Sequence, residues 1–303
     1  MALAALTLGA RKPSDVTHDG GSFQLPGSKT VFRGHAAGSV DMRKSIALSS
    51  NVYYYRLAWE MGIDKLEPFM RQFSFGQLTD IDLPNEAKGI LPSKAWKQQR
   101  FAKSPSLQKW HGVDVVNFGI GQGYSSYTPL QVANATAILA NGGTVFRPHA
   151  VKWIQDSQTN KRTLIAQAPV RKLLLKPTDV EVVKQGMQGT IQYGTARALA
   201  SGLGYTMAGK TGTAQAFSLR GAKYNKSSVS ESKRDHAWFM AFAPVEQPKI
   251  AIAVIVENGG FGAASAAPIT KTVFDYFLLK KKPKGPDVAA PASRPATGGR
   301  HAR

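Results

Sequence analysis

The spacing of apolar positions along the chain predicts helices early and strands late. From Ser45 to Gly62, the residues Ile46, Val52, Tyr53 and Leu57 fall near one face of a 3.6-residue period, and Gly62 supplies a stop. Inside that segment Ser49, Ser50 and Asn51 favour caps and turns over helix interiors. A turn between two helices is therefore expected there, with hydroxyl and amide side chains pointing at a cleft. Leu66, Phe69, Met70 and Phe73 set a further helix over Asp64 to Phe73. Thr128 as N-cap and Pro129 at the first position open another, stopped by Asn141, Gly142 and Gly143. Pro177 opens one that runs through Met187, and Pro268 a last one with Ile269, Val273, Phe274 and Phe277 as its stripe. The unbroken apolar run Ile250 to Glu257 reads as a buried strand, with Trp238 to Ala243 as its neighbour. Helices, then strands, then a final helix predict an α+β fold: an antiparallel sheet flanked by helices, in one domain ending at Leu279. Residues 280–303, rich in Lys, Pro, Ala and Gly, are expected to form a disordered basic tail.

Composition narrows the function classes. The 303 residues are 43% hydrophobic, enough for a sizeable core. No apolar run is long enough to span a membrane. The apolar opening, Met1 to Gly9, lacks the basic start and cleavage site of a secretory signal and reads as a helix that has been cut into. With no cysteine, disulfides and thiolate metal ligands are excluded. The net charge of +20 raises the question of nucleic acid. The tail holds seven Lys/Arg against one Asp, and the remaining cations are scattered, with no arginine-rich helix or aromatic-interleaved motif. No nucleic-acid partner is expected; a basic surface facing anionic polymer or lipid fits better.

Two short motifs carry candidate chemistry. Lys210-Thr211-Gly212-Thr213 follows the small, glycine-flanked stretch Tyr205 to Gly209, as if a strand edge faced a ligand. Threonine hydroxyls donate to a carboxylate, a lysine adds a positive field, and Gly212 lets a backbone approach closely. Alone, the triplet reads equally well as a turn between strands. Ser49-Ser50-Asn51 is as short, and alone reads as a local cap.

Together, and in this order, they resemble two of the three motifs (Ser-x-x-Lys, Ser-x-Asn, Lys-Thr-Gly) of penicillin-binding proteins and serine β-lactamases. The resemblance widens through Phe23 to Gly27, Val40 to Ser45, Met61 to Asp64, Gly119-Ile120-Gly121-Gln122-Gly123-Tyr124, Thr128 to Gln131 and Gly194-Thr195-Ala196. It continues through Gly209 to Gln215, Arg234-Asp235-His236 and Val256 to Gly262. It covers roughly residues 1 to 279, and it is to the penicillin-binding protein 2 family, the elongation-type class B peptidoglycan D,D-transpeptidases. That resemblance implies the penicillin-binding transpeptidase fold and acyl transfer without a cofactor. A serine attacks the D-Ala-D-Ala carbonyl of a stem peptide, a neighbouring strand's amine takes the acyl group, and β-lactams trap the intermediate. It further implies that Ser49 relays a proton and Asn51 holds the substrate amide. Lys210, Thr211 and Thr213 bind the terminal carboxylate, beside Gly212, and the Thr213 N–H completes an oxyanion hole. Elongation-complex membrane proteins are implied as partners, at the periplasmic face of the inner membrane, although this chain shows no anchor or signal.

Two departures from the family pattern stand out. Its Ser-x-x-Lys motif precedes an apolar helix resembling Met1 to Gly9, so the nucleophile and its lysine are expected before Met1 and the chain alone is expected to be inactive. A non-catalytic β-lactam-binding or scaffold module of the same fold is the alternative. The two Ser-x-x-Lys matches present, Ser106 to Lys109 and Ser230 to Lys233, come after Ser49, in polar sequence with no apolar helix behind them. Some relatives also carry zinc near the Ser-x-Asn loop, from Asp, His and a middle-position Cys. Asp15 and His35 are candidates here, but Ser50 is a poor zinc ligand, and no metal is expected.

Overall fold

The structure, a computed structural model, describes residues 1–215, 230 and 234–283. Helix α1 (Ala2–Thr7) leads into β1 (Thr17–Asp19), β2 (Ser22–Gln24), β3 (Val31–Arg33) and β4 (Gly38–Val40), in which β1 pairs with β4 and β2 with β3, both antiparallel. Seven helices follow: α2 (Met42–Ala47), α3 (Asn51–Met61), α4 (Ile63–Arg71), α5 (Lys94–Arg100), α6 (Pro105–Gln108), α7 (Gly112–Gly119) and α8 (Pro129–Ala140). Next come β5 (Thr144–Phe146), β6 (Trp153–Gln155), β7 (Arg162–Leu164) and β8 (Pro169–Lys172), paired β5 with β8 and β6 with β7. The chain then forms α9 (Pro177–Gln192), β9 (Ala208–Ala214), β10 (His236–Ala243), β11 (Ile250–Val256) and α10 (Gly262–Leu279).

The last three strands form the central sheet among the described residues, in the order β11-β10-β9 and antiparallel throughout. Its pleat sorts β10 between two cores. Ala237, Phe239, Ala241 and Ala243 pack with Ala266, Ala267 and Phe274 of α10. Phe242 and Met240 join the larger core on the other face, built from α1, α2, α3 and α9. Residues 2–6 of α1 are all buried there. Helices on both faces of an antiparallel sheet are the α+β arrangement that the sequence predicts.

The break expected at Ser49 to Asn51 is present between α2 and α3. Thr128 and Gln131 cap α8 reciprocally, the Thr128 hydroxyl accepting from the Gln131 N–H and the Gln131 side chain from the Thr128 N–H. Elsewhere boundaries move. The α4 helix spans Ile63–Arg71 rather than 64–73. Helix α9 runs past Met187 to Gln192 because Gly186 and Gly189 are packing positions, not stops. A Cβ at 186 would meet Ile46 Cδ1 at 2.7 Å, and one at 189 would meet Ala47 Cβ at 3.1 Å. Helix α10 starts at Gly262, and Pro268 lies within it instead of opening it. Proline forfeits one backbone bond there, but the flanking Ala266, Ala267 and Phe274 are fully buried against the sheet, and that contact holds the helix through it.

Candidate functional site

The turn between α2 and α3 ends the first helix in a Schellman motif. Ser50 N–H donates to Ser45 O at 3.0 Å and Ser49 N–H to Ile46 O at 3.2 Å. The residue at the left-handed position of this motif is usually glycine; here it is Ser49, with φ of 55°. A non-glycine residue there carries strain, which persists only where its surroundings fix it. The fixing group is the next residue. Ser50, fully buried, donates through Oγ to Oδ2 of the equally buried Asp19 and accepts from Tyr53 N–H at 3.2 Å as N-cap of α3. Asp19 is held in turn by Gly21 N–H at 2.8 Å. A hydroxyl on one strained residue is thus aimed by a buried carboxylate on β1.

The target of that hydroxyl is Lys210. The Lys210 Nζ donates to Ser49 Oγ at 2.7 Å, joining positions 161 apart, and to Thr211 O at 2.9 Å. Lys210 lies on β9, which among the described residues is the end strand of the sheet, opposite Met240. Lys-Thr-Gly-Thr is therefore strand, not turn. Burial pushes the Lys210 ammonium down to about 8, from an ordinary value of 10.5. A lysine at that value stays mostly charged at neutral pH, offering a partly desolvated cation to an anion, and gives up its proton as pH rises through about 8.

The pleat divides the rest of the motif. Lys210 and Gly212 share the face of Met240 and Trp238, and a Cβ at 212 would sit 3.1 Å from Trp238 Cβ. Thr211 and Thr213 take the alternate positions. Thr211 Oγ1 lies 2.8 Å from Thr195 Oγ1, and Thr195 N–H donates to Ala47 O at 3.1 Å, so Thr195 clips the β9 strand to the end of α2. Gln122 Nε2 donates to Thr213 O at 2.9 Å. Asn51, the first residue of α3, packs against Gly34, where an added Cβ would meet the Asn51 Cβ at 3.0 Å. Among the described residues no hydrogen bond joins Asn51 to Lys210, Thr211 or Thr213. Sequence reasoning missed Asp19 altogether, and it quoted Thr195 and Gln122 without giving either a task.

Ser106 and Lys109 are exposed around the four-residue α6, and among the described residues no hydrogen bond joins them. Ser230 is described but Lys233 lies outside the described residues, as do 284–303 of the expected tail. Asp15 Oδ2 accepts from Lys12 N–H at 2.7 Å, and the exposed His35 holds Leu48 O through Nε2 at 2.8 Å. Among the described residues no three His, Cys, Asp or Glu side chains are grouped to hold a metal, and no helix is long and apolar enough to cross a membrane.

Comparison with known proteins gives this geometry a context. The family model "Penicillin binding protein transpeptidase domain" matches residues 1–275. The peptidoglycan D,D-transpeptidase MrdA of Acinetobacter baumannii is 44% identical over 289 residues, which are 93% of this chain and 41% of that protein. The crystal structure of Pseudomonas aeruginosa PBP2 in complex with WCK 5153 is 36% identical with a TM-score of 0.77, over 92% of this chain and 59% of that one. Helicobacter pylori PBP2 in complex with MreC is 29% identical with a TM-score of 0.73, over 92% of this chain and 48% of that one. The chain spans less than half the length of the curated relatives it matches.

Proposed function

This chain belongs to the penicillin-binding protein transpeptidase family, and we propose that it supplies the substrate-holding part of a peptidoglycan D,D-transpeptidase that cross-links stem peptides during cell-wall elongation. The carrying observation is the Lys210 to Ser49 bond, which brings two separate motifs to one point. The nucleophile and its lysine lie on a Ser-x-x-Lys segment outside residues 1–303. The exposed setting of Ser106 supports this, since a serine that makes no hydrogen bond to its lysine is not activated as a nucleophile.

In this mechanism the nucleophile's Oγ bonds to the penultimate D-Ala carbonyl carbon, and the peptide C–N bond to the last D-alanine breaks. The serine proton passes through Ser49 to the departing amine. The acyl-enzyme then yields to the amine of a second stem peptide, and a β-lactam stops the cycle at the acyl stage. Lys210, Thr211 and Thr213 hold the terminal carboxylate, Asn51 the substrate amide, and Thr213 N–H faces the developing oxyanion. No cofactor or metal is needed for these steps. The site works at the periplasmic face of the inner membrane, and a protein like MreC, which partners the Helicobacter relative, fits as an elongation partner.

Fluorescent penicillin tests the reading. The chain alone is expected to form no covalent adduct, and the same chain behind its Ser-x-x-Lys segment to label stoichiometrically. A labelled Ser106 overturns the placement of the nucleophile. An extended protein that binds penicillin without acylation favours a non-catalytic module instead. The pH profile adds a second expectation. The second-order acylation constant reports the free enzyme, so with a carboxylate-bearing β-lactam it is expected to fall as pH rises through about 8, where Lys210 loses its charge. A flat profile from pH 7 to 9 would remove Lys210 as the carboxylate's cation.

A further inference from the structure

The Gly119 to Tyr124 segment carries no task in the mechanism above, yet it is built to hold one side chain still. Helix α7 ends in a Schellman motif: Gln122 N–H donates to Asn117 O at 3.0 Å and Gly121 N–H to Phe118 O at 3.0 Å. Gly121 takes the left-handed position with φ of 75°. The helix end is seated on α3, since a Cβ at Gly119 would meet Tyr54 O at 2.8 Å. The far side is fastened by Tyr124, whose ring centroid lies 5.2 Å from that of Trp96 and 5.9 Å from that of Phe101. Lys97 Nζ sits 5.3 Å from the Tyr124 ring and 5.8 Å from the Trp110 ring, and pairs with Asp114 at 2.6 Å. The Lys97 and Asp114 side chains are only 4% and 13% exposed. A buried ion pair inside an aromatic cluster fixes orientation more than it stabilises. From this frame one amide projects, and it donates to Thr213 O.

We propose that Gln122 is a positioning residue for the substrate-holding strand: its amide fixes the peptide between Thr213 and Ala214, and with it the aim of the Thr213 N–H and hydroxyl. The strand needs such a support. It ends the sheet among the described residues, with only β10 pairing along its length, and Thr213 is one residue from its end. The proposal rests on the transpeptidase reading above, and its test separates the two.

In the extended, penicillin-labelling protein, Gln122→Ala is expected to slow the acylation step about tenfold while changing the preceding noncovalent affinity less than about twofold, because the misaimed Thr213 N–H meets only the developing oxyanion, while Lys210 and Thr211, which Gln122 does not touch, still hold the carboxylate. The melting temperature is expected to hold. Gln122→Glu presents only acceptor oxygens to the Thr213 carbonyl at neutral pH and is expected to be slower still. Relative to the parent, it should recover as pH falls towards 5, where a protonated carboxyl donates again; a side chain with a purely structural task gives no such pH-dependent rescue. If the parent labels and Gln122→Ala acylates within about threefold of it, roughly 0.65 kcal/mol, the positioning proposal fails alone. A parent that does not label overturns the transpeptidase reading and this inference with it. In the chain alone, an unchanged Thr213 carbonyl ¹³C resonance on Gln122→Ala would show that the bond is not made and would also overturn the proposal.

Discussion

In the extended protein, Lys210→Ala is expected to slow acylation by about 10²–10³, the loss seen when one preorganised donor is removed from an oxyanion-type site. The fold is expected to tolerate the change. Lys210 is a cation held where burial disfavours its charge, so deleting it removes a desolvation penalty along with its packing. The sign can be worked through. Its folded value of about 8 lies below the ordinary 10.5. Between those values the unfolded chain binds a proton that the native protein has released, so this group makes stability rise with pH across that window. The Lys210→Ala variant lacks that rise. Urea midpoints at pH 7 and pH 10 check it: the parent should gain on the variant as pH increases. A variant that acylates within about threefold of the parent, roughly 0.65 kcal/mol, would strip Lys210 of its role whatever the melts show. Asn51→Ala is expected to slow acylation by a similar factor, about 10²–10³, through the substrate amide.

Much of this was legible before any coordinates, for identifiable reasons. Helix punctuation is local chemistry, so Thr128-Pro129 and the break at Ser49 to Asn51 could be read directly. The apolar run of β11 and its pairing with β10 follow from period and composition. Three-residue strands such as β1 and β4 are too short to carry an alternating signal, and Asp19, which aims the Ser-x-Asn turn, sits on one of them. Strand β9 is glycine-rich, and its sequence alone did not separate strand from turn. Its pleat, which sends Lys210 and Thr211 to opposite faces, needed the pairing register. Thr195 and Gln122 act across gaps of 16 and 91 positions, and no local pattern announces such contacts. The misplaced start of α10 came from giving Pro268 its usual meaning at a position where tertiary burial overrides it.

The Asp19 to Ser50 pair carries the other large expected effect. Ser50→Ala removes two bonds at once. Asp19 loses a charge-assisted partner while fully buried, about 1.5–3 kcal/mol, and α3 loses its N-cap, about 1 kcal/mol. The combined expectation is a destabilisation of about 3 kcal/mol, seen as a lowered urea midpoint with an unchanged slope. Asp19→Asn keeps an acceptor for the Ser50 hydroxyl and is expected to lose less. The double variant Asp19→Ala, Ser50→Ala is expected to lose less than the sum of its two single variants, because each alone strands the other's buried polar group. An additive result would mean that the two side chains do not depend on each other. The same pair holds Ser49 in its left-handed conformation, so Ser50→Ala in the extended protein should also slow acylation, even where enough of it stays folded to measure. Without the pin, the Ser49 backbone is free to relax to negative φ and carry its hydroxyl away from Lys210. A Ser50→Ala protein that loses stability but acylates at the parent's rate would leave Asp19 a structural residue only.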